Sequence, residues 1–157
     1  MSTVVVFATL VGVGEAYMLM FCGFRLVGFS PSPRRLFASA VTVALFVRLC
    51  RQVLYTVLNA PFGIHIVISL VSFFLVAHFW FKMPSILAAI AVVIGDMILS
   101  IGTMLVSVFM SGAEPSDFVS ILKLIALEQA PLVIASLIIW RTKLSIVPRR
   151  VSESLKG

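Results

Sequence analysis

Charged side chains interrupt several hydrophobic segments of this sequence, where an ionised group needs a partner, water or a function. Arg48 and Arg51 are three residues apart in one apolar segment, and three carboxylates lie in others, at Glu15, Asp96 and Glu128. Insertion scales give a cost of about 2.5–3.5 kcal/mol for such a residue at the centre of a bilayer. The sequence therefore predicts that these five residues form an intramembrane polar cluster.

Two interpretations of the cluster stay open. Its members can be ion pairs that fix helix order and register, because buried pairs are retained in proteins without any ligand. They can equally form a site for a ligand, an ion or a proton. A rise of 1.5 Å per residue places four of the five about 15–18 Å from the starts of their helices, and Arg51 about one turn closer to the outside. Glu15 and Glu128 match the depth of Arg48 best.

The composition predicts that the elements carrying these charges are transmembrane helices. The chain has 157 residues, of which 61% are hydrophobic and 11% charged, and its mean hydropathy is +1.18. A soluble domain has about 25% charged residues, and its surface could not carry this excess of apolar side chains in water. The excess falls into five segments of roughly 18 to 25 residues, the length of a helix that crosses a bilayer. The predicted fold class is all-α and polytopic.

The predicted domain organisation is one bundle, residues 1–140, followed by a basic tail, residues 141–157. Small residues at Gly12 and Gly14, and on one face of the fourth helix at Ala88, Ala91, Gly95 and Gly102, predict close helix contacts. The five transmembrane helices are expected at about residues 3–24, 36–58, 64–81, 86–110 and 118–140.

The distribution of basic residues predicts the orientation. Three follow the first helix, one follows the third and five lie in the tail, whereas the N-terminus and the two turns on the other side have none. Cytoplasmic loops carry the excess of Lys and Arg, so the N-terminus is expected outside and the C-terminus in the cytoplasm. The net charge of +6 thus reflects topology, and attraction of the tail to anionic lipid, rather than nucleic-acid binding.

No residue pattern predicts catalysis, a cofactor or a metal. His65 and His78 lie on different faces of one helix, about 19 Å apart along its axis, so they cannot share an ion. Neither Cys22 nor Cys50 belongs to a CxxC pair. The sequence contains no nucleophile elbow, P-loop or HExxH motif. We expect a protein that is not an enzyme.

Several short stretches resemble the N-terminal membrane portion of sensor histidine kinases of the GHKL class in Gram-positive bacteria, the accessory-gene-regulator type included. They are a first helix with Glu15 at its middle, a second that begins Arg34-Arg-Leu36, the turn Pro61-Phe-Gly-Ile-His65, and the hairpin Phe79-Trp-Phe-Lys-Met-Pro-Ser85. The resemblance implies detection of a peptide or small signal by the helices. The sequence departs from the kinase plan because residues 141–157 contain no phosphoacceptor helix or ATP-binding domain.

The first functional hypothesis is therefore a sensory or regulatory module of the bacterial cytoplasmic (inner) membrane, which acts through a membrane or cytoplasmic protein partner. The alternative is a small transporter or substrate-capture subunit with a charged intramembrane site. Both place the chain in the lipid bilayer, and both are compatible with a homo-oligomer.

Overall fold

The chain is all-α throughout the part that the computed structural model describes, residues 3–57, 64–109 and 118–146. Those ranges contain no strand, so the all-α part of the predicted fold class is confirmed. The helices are α1 (Thr3–Leu26), α2 (Pro33–Val57), α3 (Ile64–Leu75), which continues into a π-helical turn (Val76–Trp80), α4 (Ser85–Phe109) and α5 (Phe118–Thr142).

Four helices, namely α1, α2, α4 and α5, are long and apolar enough to cross a membrane. The apolar stretch of α3 and its π-helical turn, Ile66–Trp80, is shorter. Large apolar side chains such as Leu49, Phe79 and Trp140 point away from the bundle and are at least half exposed, as expected of a surface that faces lipid. Length and composition thus indicate a membrane protein, with four helices among the described residues that are able to cross a bilayer.

The first helix is central to the bundle. It packs against α2, α4 and α5, while α3 packs against α2 and α4. Four helices therefore form a ring in the order α1, α2, α3, α4, and α5 lies along the seam between α1 and α4. This arrangement gives α5 contacts on one side only, which leaves most of its surface exposed.

The connection between α1 and α2 follows from two local signals. Gly28 adopts a φ of 79°, and its N–H donates to Arg25 while the N–H of Phe29 donates to Phe24. These two bonds form a Schellman motif, which requires the left-handed conformation that glycine adopts without strain. Pro33 then occupies the first position of α2, where its missing N–H costs nothing. The helix consequently begins three residues before the predicted position 36.

The last helix ends with a left-handed residue that is not glycine. Lys143 has a φ of 53° and donates its N–H to the carbonyl of Ile139, so α5 extends two residues beyond the predicted position 140. The next residues return to α1, because the N–H of Ile146 donates to the Leu26 carbonyl at 2.7 Å. The ends of α1 and α5 are thereby joined. Most of the predicted tail, residues 147–157, lies outside the described residues.

The bundle is packed at one end and open at the other. Every buried apolar side chain of the described residues lies in residues 16–43, 73–95 and 131–146, which we call the packed half. The open half comprises residues 3–15, 44–57, 64–72, 96–109 and 118–130, and most of its side chains are half-buried or exposed. The packed half contains the end of α1, the start of α2 and the end of α5, and with them the predicted cytoplasmic connections.

Glycines set the closest helix crossings, although not the two expected on α1. A Cβ at Gly23 would collide with the Ala91 carbonyl on α4, and one at Gly102 would collide with the Glu128 carbonyl on α5. Gly95, from the face predicted on α4, lies against Leu19 of α1, where a Cβ would first meet the leucine side chain. By contrast, a Cβ at Gly12 or Gly14 would meet nothing within 4 Å, so the prediction of close contacts there was wrong. Both residues lie in the open half, where the described glycines of α1 make no close crossing although Gly102 of α4 does.

The hairpin between α3 and α4 is held by a π-helical turn. The N–H of Phe81 donates to Val76 and that of Met83 to Ala77, while Nδ1 of His78 lies 2.8 Å from the Met83 carbonyl oxygen. His78 is thus a structural residue of the turn. The side chain of His65, the other histidine of the predicted third helix, is outside the described part of the structure. The reversal itself occurs at Lys82, whose φ is 53°.

Replacing Lys82 by valine is expected to destabilise the protein by about 1–2 kcal/mol, because a β-branched side chain is strained in the left-handed region. Lys82→Gly is the control: it removes the same charge but relieves the backbone. Thermal unfolding in detergent should therefore give a lower melting temperature for Lys82→Val than for Lys82→Gly. Equal melting temperatures would mean that the turn does not hold this conformation.

Candidate functional site

All five residues of the predicted polar cluster lie in the open half. Four of them are half-buried, and Arg51 is exposed on α2. The structure does not join them into one set of ion pairs. It divides them between a contact of α1 with α5, a contact of α1 with α2, and the inner face of α4.

The first contact joins the central helix to α5. Nε2 of Gln129 donates to Oε2 of Glu15 at 3.0 Å, across 114 residues of sequence. The Glu15 carboxyl is therefore attached to a neutral amide rather than to either arginine. An amide partner does not neutralise a carboxylate, so this contact holds the two helices together without cancelling the charge.

A second carboxyl group lies beside the first. Glu128 precedes Gln129 on α5, close enough to Glu15 for the two carboxylates to repel each other when both are ionised. Oε1 of Glu128 accepts a long hydrogen bond of 3.5 Å from the Thr103 hydroxyl on α4, which also faces the Leu99 carbonyl at 3.5 Å. The carboxyl groups of α1 and α5 thus meet in a region where the described hydrogen bonds are few and one is weak.

The amide of Gln129 is only half satisfied. Its Oε1 atom is buried and has no hydrogen-bond partner among the described residues. A buried acceptor left without a donor costs about 1–3 kcal/mol, and the opposite assignment of the amide would leave the nitrogen without an acceptor instead. Acceptors therefore outnumber donors around Glu15, Glu128 and Gln129.

The second contact joins α2 to α1. Nη1 of Arg48 donates to Oγ1 of Thr9 at 2.7 Å. No carboxylate of the described residues lies within ion-pair distance of this guanidinium, although the sequence favoured Glu15 and Glu128 as its partners. The reason is geometric: Glu15 and Thr9 are six residues apart on α1 and hence lie on different faces. The Glu15 side faces α5, and the Thr9 side faces α2.

The inner face of α4 carries the third charge. Asp96 lies four residues after Val92 and three before Leu99, and both of these pack against the apolar core. Asp96 therefore projects from the stripe that faces the bundle. Its carboxylate forms no hydrogen bond or ion pair with any residue in the described ranges. Lys123, the remaining charge of the predicted spans, is exposed near the start of α5.

The polar contacts between α1 and α5 differ in chemistry between the packed half and the open half. In the packed half, the buried Cys22 thiol lies 3.2 Å from the Ser136 hydroxyl. In the open half, the Glu15–Gln129 contact occurs seven residues earlier on both helices, which corresponds to about 10 Å along the axis. The two helices consequently run parallel, with small neutral groups at one depth and a charged contact at the other.

Sequence reasoning identified the charges but missed the neutral residues that bind them. Gln129 and Thr9 both lie in apolar segments, and their polarity was a usable signal. A transmembrane helix that carries an amide or a hydroxyl commonly uses it for an interhelical hydrogen bond. The described residues contain no group of three or more His, Cys, Asp or Glu side chains able to hold a metal ion.

No family model, characterised protein or solved structure matches this chain. A function has to be argued from the site itself, since a helical bundle hosts many unrelated activities.

Proposed function

We propose that the protein is a non-enzymatic sensory or regulatory module of the bacterial cytoplasmic membrane that acts through a partner protein. The observation that carries this proposal is the Glu15–Gln129 contact, which attaches α5 to the central helix beside a second, repelling carboxyl group. In the open half, the described polar bond between α1 and α5 is opposed by like-charge repulsion when both carboxyl groups are ionised, and the described residues of α5 there include no fully buried apolar side chain. Such a contact is easily shifted by a ligand that binds one state better.

The sequence of α5 favours a local movement. Pro131 lies inside the helix and removes the hydrogen bond that would reach the carbonyl of Leu127. On the packed side of the proline, Leu132 and Ile139 are buried against the bundle. On the open side lies Gln129. A ligand that competes for Glu15 or Gln129 would detach the first half of α5 from α1, while the close crossing at Gly102 keeps that half on α4 and the second half stays docked.

The signal would be transmitted to the partner protein through the packed half of the bundle. The residues after α5 are bonded to the end of α1, and the basic connections predict that this end lies in the cytoplasm. A movement of the first half of α5, passed on through its docked second half, would therefore shift the surface around Leu26 and Ile146. The resemblance to the membrane portion of sensor kinases supports the same direction of signalling, with the response delivered by a separate membrane or cytoplasmic protein.

The proposal is tested by crosslinked co-purification from native membranes. We expect Glu15→Ala to change the yield of a captured partner severalfold, because it removes the attachment of α5. Asp96→Ala is the matched control, since it also deletes a carboxyl group at the membrane centre but leaves the α1–α5 contact intact. Wild-type protein that is repeatedly recovered alone, or equal yields from both variants, would contradict the proposal.

A second candidate function is a small transporter or substrate-capture subunit. It is favoured by the carboxylate of Asp96, which faces the bundle without a described partner, and by the surplus of acceptors around Gln129. Both features suit a small cationic solute. Labelled methylammonium is a suitable probe in proteoliposomes: uptake that is lost in Asp96→Asn, with the folded protein unchanged, would favour transport over sensing.

A further inference from the structure

A cavity of about 450 Å³ opens at the packed end of the bundle, far from the polar cluster. It lies where the connection between α1 and α2 meets the end of the π-helical turn. Its size is within the range of pockets that hold small ligands, about 300–1,000 Å³. Its lining residues are Phe29, Ser30, Pro31, Ser32, Arg35 and Phe81.

One side of the cavity is electropositive and rich in donors. The Arg35 side chain is exposed and forms no hydrogen bond or ion pair with another residue in the described ranges. The Ser32 hydroxyl is equally without a described partner, while its carbonyl accepts the first hydrogen bond of α2, from Leu36. The backbone amides of the first turn therefore point out of the helix at this position, where its dipole is positive.

The other side of the cavity is a rigid aromatic wall. The rings of Phe29 and Phe81 meet edge to face at 6.1 Å, and both contact Phe24, at 5.8 and 5.0 Å. Phe24 and Phe81 are buried. This wall separates the cavity from the core and gives it one apolar face.

A neighbouring arginine fixes the shape of the connection. Nη1 of Arg25 donates to the Ser30 hydroxyl at 2.8 Å, and its guanidinium lies 5.6 Å from the centre of the Phe21 ring. Arg25 is thus committed to the protein, and it adds positive charge behind the cavity. Arg35 is the lining cation that is left for a ligand.

We propose that this cavity binds a phosphate group that carries a net negative charge, of the kind present in the headgroup of an anionic phospholipid. A guanidinium binds phosphate oxygens through two parallel hydrogen bonds, and a helix N-terminus with a free hydroxyl completes the site. The position agrees with this chemistry, because basic pockets between helices at the cytoplasmic face bind anionic headgroups. The aromatic wall suits the glycerol and the first acyl carbons, which are apolar.

The test measures lipid binding to the purified full chain in detergent by native mass spectrometry. Phosphatidylglycerol is expected to bind at least tenfold more tightly than phosphatidylcholine. Arg35→Gln should weaken phosphatidylglycerol binding at least tenfold. Arg34→Gln is the matched control, because it removes the same charge one residue earlier, from an exposed side chain that does not line the cavity, and it should change binding less than threefold.

Binding of glycerol 3-phosphate and of inorganic phosphate distinguishes a lipid headgroup from a free phosphate compound as the source of the phosphate group. If either one binds, competes with phosphatidylglycerol and depends on Arg35, the site recognises a free phosphate and the proposal stands with that ligand. Equal weakening by Arg34→Gln and Arg35→Gln would show a general attraction of the basic surface and would overturn it. Equal binding of the two lipids would overturn it as well. Circular dichroism of each variant confirms that the helices remain folded.

Discussion

Replacing Gly23 by valine should prevent the bundle from folding, whereas the same change at Gly12 should not. A side chain at Gly23 would collide with the backbone carbonyl of Ala91, and backbone atoms of a packed helix cannot move aside. Overpacking of this kind costs about 1–3 kcal/mol even where side chains can adjust, and we expect more than about 3 kcal/mol here. The measurement is the yield of monodisperse protein in mild detergent and its melting temperature.

Gly12→Val is a close control because it lies on the same helix, eleven residues earlier, and adds the same atoms. Its Cβ meets nothing within 4 Å, so only the small helix preference of valine acts on it. Two variants that fold equally well would show that α1 and α4 do not cross at Gly23. Two variants that both fail would show that the open half is as tightly packed as the other.

Removing the Glu15 carboxyl group should destabilise the protein only when the oxygen acceptor is lost with the charge. Glu15→Leu leaves the Gln129 amide without its described partner, at a cost of about 1–3 kcal/mol. Glu15→Gln keeps an acceptor and removes the repulsion from Glu128, so it should retain the melting temperature of the wild type or exceed it. Thermal unfolding in the same detergent compares the three proteins.

The double variant Glu15→Leu/Gln129→Leu makes this prediction specific to the pair. Replacing both partners by apolar residues of similar shape is close to neutral, because no polar group is then left unsatisfied. The double variant should therefore be more stable than Glu15→Leu alone. A cycle in which the two single effects simply add would contradict a direct contact between these side chains.

The two halves of the bundle suit different roles. In the packed half, helices are fixed by buried apolar side chains and by close crossings at Gly23 and Gly95. In the open half, α4 and α5 cross closely at Gly102, but the described side-chain bonds of α1 to α2 and to α5 are single polar bonds, such as that of Arg48 to Thr9. A change of state costs least where few apolar contacts must be broken, so the predicted outer half is the part of the molecule suited to respond to a signal.

The helices themselves were accessible from the sequence because the bilayer imposes a length and a polarity on each. Each predicted segment contains a helix in the described residues, although α3 with its π-helical turn is shorter than the four helices able to cross a membrane, and two of the differences at the ends come from caps. Pro33 starts α2 early because its ring favours the first helical turn, and α5 continues to Thr142 because the left-handed residue that ends it is Lys143. The π-helical turn at the end of α3 had no signal in the hydrophobic pattern. It is formed by the backbone bond from Phe81 to Val76, and the contact of His78 with the Met83 carbonyl accompanies it.

By itself, the sequence determined that the chain is an all-α membrane bundle and which charges lie within it, because both follow from the cost of polar groups in lipid. Only the tertiary structure decided which partner each charge has. Depth along a helix can be counted from the sequence, but the direction of a side chain around the bundle depends on which helices are neighbours. Thr9 and Glu15 show the difference: they lie on one helix at nearby depths, yet one binds the arginine of α2 and the other binds the amide of α5.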